Sequence, residues 1–349
     1  MLNQEPPLSH YSTLPYAYGA PSAQARLKSE PADFQVEETI AFSLSGEGEH
    51  LWLWVEKQGE NTDWVAQQLA KWAGIRLRDI GFAGLKDRHG ITRQWFSLYL
   101  PGRDNPDVSQ FQFESIRILQ QTRHQRKLQT GGLSGNRFIL TLRDVTGDQA
   151  DTEQRLKQIQ TQGVPNYFGE QRFGRNEQNL VMAQGLFNGE LTRLRPAQRG
   201  LYISAARSFL FNEILAERVR QQAWNQAWSG DVFQLEGSDK WFVDDGSTEL
   251  VARVNELDIH PTGALVGAGE LATQQNALKL EAQVLSKHQA WCQALADLGL
   301  KQERRALRVL PKNLSWLWSD KQTLEVCFDL APGRYATVLM RELMANHTV

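Results

Sequence analysis

A chain of 349 residues, 41% hydrophobic and 22% charged, can build two globular domains that each bury a core. Its formal net charge of −2, from 38 basic and 40 acidic side chains, excludes a protein coated evenly in positive charge. No apolar run reaches the length of a membrane span, and the first residues lack the basic-then-apolar order of a secretory signal. Cys292 and Cys327 form neither a CxxC pair nor a disulfide framework and read as buried, reduced thiols. These features point to a cytoplasmic protein with no membrane partner. The seven histidines include no HxxxH or HxH pair, so no metal is expected. Neither a phosphate loop nor a dinucleotide glycine motif occurs, which argues against a nucleotide cofactor.

The first 25 residues, rich in Pro, Ser and Tyr, read as an irregular lead-in arm. His50 to Glu56 has the aromatic and branched content of a mostly buried strand. Asn61-Thr62 then caps a helix with Trp64, Val65, Leu69 and Trp72 on one face, ended by Gly74. Phe82 to Gly90 is a loop, and Gln94 to Leu100 the next strand, stopped by Pro101. Arg137 to Arg143 alternates, with Phe138, Leu140 and Leu142 inward. Beyond Asp144 the pattern turns helical: Asp151 to Gln162, then Ser204 to Arg220, then Asn276 to Leu300. Strand character returns at Thr323 to Phe328, followed by a short helix over Tyr335 to Met344. Strand-rich ends around a helix-richer middle predict an insertion, with both ends sharing one sheet.

Three clusters stand out chemically. In Phe82 to Gly90, Asp87 lies between Lys86 and Arg88 on a glycine-flanked run; cations favour an ionised carboxylate, which can act as a nucleophile. Either Lys86 or Arg88 is expected to support its charge. The commoner fate of such a triplet is a surface turn with a local ion pair. In Gly131 to Phe138, Asn136 offers a donor and an acceptor, and Phe138 a flat face for an unpaired base or for a core. In Gly163 to Gly174, Tyr167 and Phe168 read as a packed hinge and Arg172 as a binding residue. Charge is segregated as well. Ser115 to Arg143 carries six basic residues and no acid, and Arg193, Arg195, Arg199 and Arg207 form a second stretch, whereas Glu236 to Asp258 is acidic. Such opposed fields suit an oriented polyanion, and Arg123, Arg126 and Lys127 are candidates for its phosphates. The 11 tryptophans would suit a sugar-binding protein, but five of them fall on apolar faces, and Asp87 has no carboxylate partner at a glycosidase spacing.

Taken together, the clusters resemble the TruD family of tRNA pseudouridine synthases. The similar pieces run in order: Lys28-Ser29-Glu30-Pro31 through Phe34 to Glu38, Asn61-Thr62, Gly84-Leu85-Lys86-Asp87 with Thr92 and Gln94, His124, Lys127-Leu128, and Gly135 to Phe138. Pro165 to Gly169 with Gln171 to Gly174, Ser204 to Ser208, Phe211-Asn212, and Gly333 to Thr337 complete the pattern. The resemblance implies an α+β fold: a pseudouridine synthase-like catalytic domain with a mixed, mainly antiparallel sheet, formed by 1–161 plus 310–349 and interrupted by an inserted α/β TRUD domain at 162–309. It implies isomerisation of a uridine in tRNA, uridine 13 in bacterial members, by a monomer with no cofactor. Asp87 would be the nucleophile, with Phe34, Asn136, Tyr335, Phe138, Lys86, Lys28 and Arg172 binding substrate. A non-catalytic RNA-binding or RNA-folding protein on the same scaffold is the alternative. Two positions depart from the pattern: Glu177 stands where the family often has glycine, and Gly90 replaces a common alanine, expected to loosen the loop.

Overall fold

Alternation along His50–Gln58 turns Leu51, Leu53 and Val55 to one face and Trp52 to the other, and both faces are buried. Around this strand the computed structural model, which describes residues 11–345 and 347–348, builds a ten-stranded sheet. Residues 1–10 of the expected arm lie outside the described residues. The chain forms two compact units. One comprises Ser22–Glu153, Pro311–Ala336 and the described part of Met344–Val349; the other comprises the described part of Met1–Pro21, Gln154–Leu310 and Thr337–Leu343.

In chain order the first strands are β1 (Gln24–Leu27), β2 (Phe34–Thr39), β3 (His50–Gln58), β4 (Ile80–Phe82), β5 (Ile91–Tyr99), β6 (Ile116–His124) and β7 (Gly135–Thr146). Next come β8 (Val164–Pro165), β9 (Val232–Leu235), β10 (Trp241–Val243), β11 (Ile259–Leu265), β12 (Glu303–Ala306) and β13 (Arg308–Val309). The last are β14 (Lys312–Trp318), β15 (Leu324–Leu330) and β16 (His347–Thr348). The helices are α1 (Thr62–Trp72), α2 (Gln149–Gln162), α3 (Gln178–Phe187), α4 (Pro196–Arg220), α5 (Glu249–Asn255), α6 (Gln275–Leu285), α7 (Gln289–Asp297) and α8 (Ala336–Leu343).

The large sheet runs β14-β15-β7-β2-β5-β3-β6, with β4 on β5 and β1 on β7. Its pairs are antiparallel except for β2 with β5 and β1 with β16. The expected sharing of one sheet by both chain ends is realised where β15 pairs β7, Phe328 opposite Phe138 and Leu330 opposite Asn136. α1 lays Val65, Ala66, Leu69 and Ala70 against Leu51, Leu53, Val55, Phe96 and Leu98. Each Val, Leu and Phe among them contributes about 1.5–3 kcal/mol on burial. On the opposite face Trp52 packs with Trp95, Ala83 and Leu128, so these indoles are core, and a sugar-stacking role for them is overturned.

The other unit holds the sheet β10-β9-β11-β12 and the pair β13-β8, with α4 packed on β11, α3, α6 and α7. α4 starts eight residues before the expected Ser204, because Pro196 fits the first helical turn, where its missing N–H costs nothing. The expected single helix over Asn276 to Leu300 is two, α6 and α7, separated by a 3-10 turn at Ser286–His288. Cys292 and Cys327 are free and half-buried rather than fully enclosed, and burial pushes the Cys292 thiol up to about 11. Among the described residues no helix is long and apolar enough to cross a membrane, and no His, Cys, Asp and Glu cluster suits a metal ion.

Candidate active site

The loop between β4 and β5 is fastened along its length. Thr62, the first residue of α1, accepts the Lys86 N–H at 3.0 Å and donates its hydroxyl to Gln94 Oε1 at 3.0 Å. Gln94 Nε2 reaches back to the Gly84 carbonyl at 3.4 Å. Asn61 occupies the N-cap of α1, but its side chain makes no capping bond. The Asn-Thr pair, read as a helix cap, therefore serves the loop as much as the helix.

Asp87 is half-buried in this loop. Lys28 Nζ donates to its Oδ2 at 2.6 Å, and the His89 N–H donates to its Oδ1 at 2.9 Å. Burial alone would raise this carboxyl. The Lys28 hydrogen bond, the His89 N–H and the Lys28 charge outweigh burial and hold it below the ordinary carboxylate range. The cation supporting Asp87 is thus Lys28, not Lys86 or Arg88. Lys86 Nζ is 2.6 Å from Glu38 Oε1, and Arg88 Nε donates to the Gly59 carbonyl at 2.8 Å. Burial raises the Glu38 carboxyl even with Lys86 and the Trp95 N–H beside it.

Lys28 has a left-handed backbone (φ 63), a conformation that costs a residue with a Cβ about 1–2 kcal/mol. Its ammonium also lies 4.2 Å from the Phe34 ring centroid. Strain of this kind persists only where the surrounding structure enforces it. Phe34 meets Phe138 edge-on at 6.4 Å, and Phe138 stacks on Phe328 at 5.3 Å. One face of Phe138 is therefore occupied, and its ring supports Phe34 instead of standing free for a base. Gly90 does not loosen the loop. It is buried, and a Cβ there would meet the Phe34 carbonyl at 2.4 Å, so the glycine lets β2 and the loop approach.

β2 turns Phe34, Val36 and Glu38 to one face, and the register puts Phe138 opposite Val36 and Asn136 opposite Glu38. Asn136 Oδ1 is buried with no hydrogen-bond partner among the described residues. An acceptor left in that condition costs about 1–3 kcal/mol, which a donor on a ligand would relieve. Tyr335 follows β15 by five residues and is half-buried. Phe34, Glu38, Asn136, Lys28, Lys86, Asp87 and Tyr335 all belong to the unit containing the large sheet.

Arg172 does not. In the other unit its half-exposed guanidinium donates to Ser204 Oγ at 3.2 Å and lies 5.4 Å from the Phe168 ring. Tyr167 and Phe168 are buried, and their neighbours bind each other densely. Asn212 donates to the Phe168 carbonyl at 3.0 Å and accepts its N–H at 2.8 Å; Asn166 donates to Ala306 and accepts from Arg305 at 2.7 Å each. Of the expected phosphate contacts, Arg123 donates to the Leu100 and Arg103 carbonyls and Lys127 to the Arg78 carbonyl, leaving Arg126 exposed. Arg117, Arg137, Arg193, Arg195 and Arg199 are exposed too.

Sequence reading passed over Lys57 and Glu38, both wholly buried. The signal was available in the strand phase: Lys57 continues the inward series of Leu51, Leu53 and Val55, and Glu38 that of Phe34 and Val36.

A family model described as tRNA pseudouridine synthase D (TruD) matches residues 11–190 and 178–343. A tRNA pseudouridine synthase D of Hydrogenovibrio crunogenus (strain DSM 25203 / XCL-2) is 59% identical over 336 residues, 96% of each chain. Another, of Proteus mirabilis (strain HI4320), is 45% identical over 339 residues, 97% of each chain. A solved structure assigned to tRNA pseudouridine synthase D (TruD) from Methanosarcina mazei has a TM-score of 0.74, covering 95% of this chain and 96% of that one. At 21% identity its likeness is one of fold, and it agrees with the expected α+β pseudouridine synthase architecture.

Proposed function

The chain belongs to the tRNA pseudouridine synthase D family, and on that premise we propose that it isomerises uridine 13 of tRNA to pseudouridine, with Asp87 as nucleophile and no cofactor. The observation carrying this reading is the Asp87 carboxylate itself: half-buried, held ionised, and fixed by Lys28 on one oxygen and a backbone N–H on the other. A nucleophile needs that charge and direction at neutral pH.

In the reaction the bond from N1 of uracil to C1′ of the ribose breaks, the base turns, and C5 bonds to C1′. The proton on C5 leaves to solvent and N1 takes one up, so neither redox change nor energy input is required. The target nucleotide is extruded from the RNA to reach Asp87. Phe34, Asn136 and Tyr335 line its pocket, Phe138 backs Phe34, and the free Asn136 Oδ1 suits the N3–H of uracil. Lys86 anchors the loop through Glu38. The exposed arginines of both units meet phosphates in a salt-dependent manner. On this reading residues 1–161 plus 310–349 form the catalytic domain and 162–309 the insertion, and the enzyme works as a monomer in the cytoplasm on tRNA; the compact units divide the chain differently, grouping Gln154–Leu310 with Thr337–Leu343 and the described part of Met1–Pro21.

Tritium release from tRNA labelled at C5 of uridine, followed by mapping of the product, tests the activity and its position. Stoichiometric release with pseudouridine at position 13 is expected. Binding of tRNA without release would point instead to an RNA-binding or RNA-folding protein.

A further inference from the structure

Lys57 is the last inward-facing residue of β3, opposite Thr92 on β5 and Ile116 on β6, with a side chain wholly buried. It forms no ion pair among the described residues. Its Nζ instead donates to two backbone carbonyls, Glu60 at 2.8 Å and Asp87 at 2.9 Å. A buried ammonium without a carboxylate is an expensive way to fill a core, since an apolar side chain of the same length avoids the desolvation. Stability therefore does not explain it.

We propose that Lys57 is a positioning residue for the Asp87 reaction, its ammonium tying the carbonyl of Asp87 to the turn after β3 and so fixing the direction of the carboxylate. The inference rests on the reading of Asp87 given above. Thr62 holds the Lys86 N–H, Lys57 the Asp87 carbonyl, and the His89 N–H and Lys28 the two carboxylate oxygens. The Asp87–Arg88 peptide is thus held directly and the Leu85–Lys86 peptide one residue earlier, which narrows the backbone at Asp87 and with it the direction of the side chain. Placement errors of about 1 Å can cost a reaction on the order of 100-fold.

The charge is part of the device. Burial pushes the Lys57 ammonium down to about 8; the Asp87 carboxylate and Glu60 oppose this, and Lys86 reinforces it. Those three are the charged groups facing it, while β5 and β6 present Thr92 and Ile116. A neutral amine still donates to both carbonyls, but a charge-assisted bond is roughly twice as strong. The clamp consequently slackens as pH rises through about 8. Stability moves the other way. Above that pH the folded chain has lost a proton that the unfolded chain keeps, so this group contributes more to stability as pH rises toward the ordinary lysine value.

The experiment compares Lys57→Met with the wild type on tRNA, measuring kcat, KM and melting temperature from pH 6.5 to 9.5. The expected result is a kcat lower by on the order of 10- to 100-fold, KM for tRNA within about threefold, and a thermal stability little changed, because relief of the buried ammonium offsets the two carbonyls left without a donor. The wild type should show an alkaline fall in kcat near pH 8 that the variant lacks, and the side-by-side comparison cancels titration of uracil itself. Equal kcat in the two proteins, or the same alkaline fall in both, would overturn the proposal. Should Lys57→Met not fold, Lys57→Gln takes its place: an alkaline fall near pH 8 in the wild type that this variant lacks supports the clamp, and the same fall in both, or a flat wild-type rate, refutes it. A wild type that makes no pseudouridine at any pH would mark a different failure, that of the functional reading beneath.

Discussion

The loop around Asp87 and the knot around Phe168 are both dense in motif residues, yet their polar groups end up differently. In the knot, Asn212 and Asn166 bind backbone carbonyls and N–H groups, and Arg305 lies 4.1 Å from the Phe168 ring. In the site, Lys28 is strained, Lys57 is buried without a carboxylate partner, Asn136 Oδ1 lacks a donor, and Asp87 stays half-exposed and charged. Density of motif residues alone does not mark function. Polarity satisfied within the chain builds structure, and polarity held strained or unsatisfied points toward a substrate.

That contrast can be broken at several points. Asn212→Leu leaves the Phe168 N–H and carbonyl buried without partners, an expected loss of about 2–5 kcal/mol in urea unfolding, with kcat of the folded fraction unchanged. A large kcat effect at constant stability would move the knot into the site. Lys28→Met does the reverse: kcat at pH 7 falls on the order of 10- to 100-fold, because a half-buried carboxylate loses its partner. With Lys28 gone the Asp87 carboxyl rises, so the acid limb of the pH–rate profile moves to higher pH; an unmoved limb would remove Asp87 from that limb.

Thr62→Val strips the hydroxyl from between Lys86 and Gln94, and should cost about 1–2 kcal/mol in stability together with a several-fold drop in kcat. If only stability changes, the loop tether is structural alone. The smallest effect belongs to Glu177, whose backbone is left-handed (φ 58, ψ 25), the region glycine enters without penalty. Glu177→Gly should raise stability by less than about 1 kcal/mol, relief of strain being partly offset by unfolded-chain entropy. A loss of stability would show that its side chain holds the turn.

Local pattern carried much of the fold. β7 and β15 announce themselves by alternation, β3 by its aromatic and branched content, β5 by a run stopped at Pro101, and α1 by its apolar stripe and Gly74. The parallel pairing of β2 with β5 is not local, since nothing in Phe34 to Thr39 specifies a partner more than fifty residues away. The break between α6 and α7 carries neither proline nor glycine to mark it. Asp87 could be singled out because its cationic neighbours are adjacent in sequence, but those neighbours misled: Lys86 turns to Glu38, and the cation that matters arrives from Lys28, 59 positions away. Lys57 hid inside an apolar strand, where periodicity could have shown a charge facing inward.

Asp87→Asn, which keeps shape and removes charge, is the most direct test. Assayed at saturating tRNA, it should form pseudouridine at least about 10⁴-fold more slowly than the wild type while binding tRNA within about threefold as tightly. Turnover within tenfold of the wild type would contradict the account.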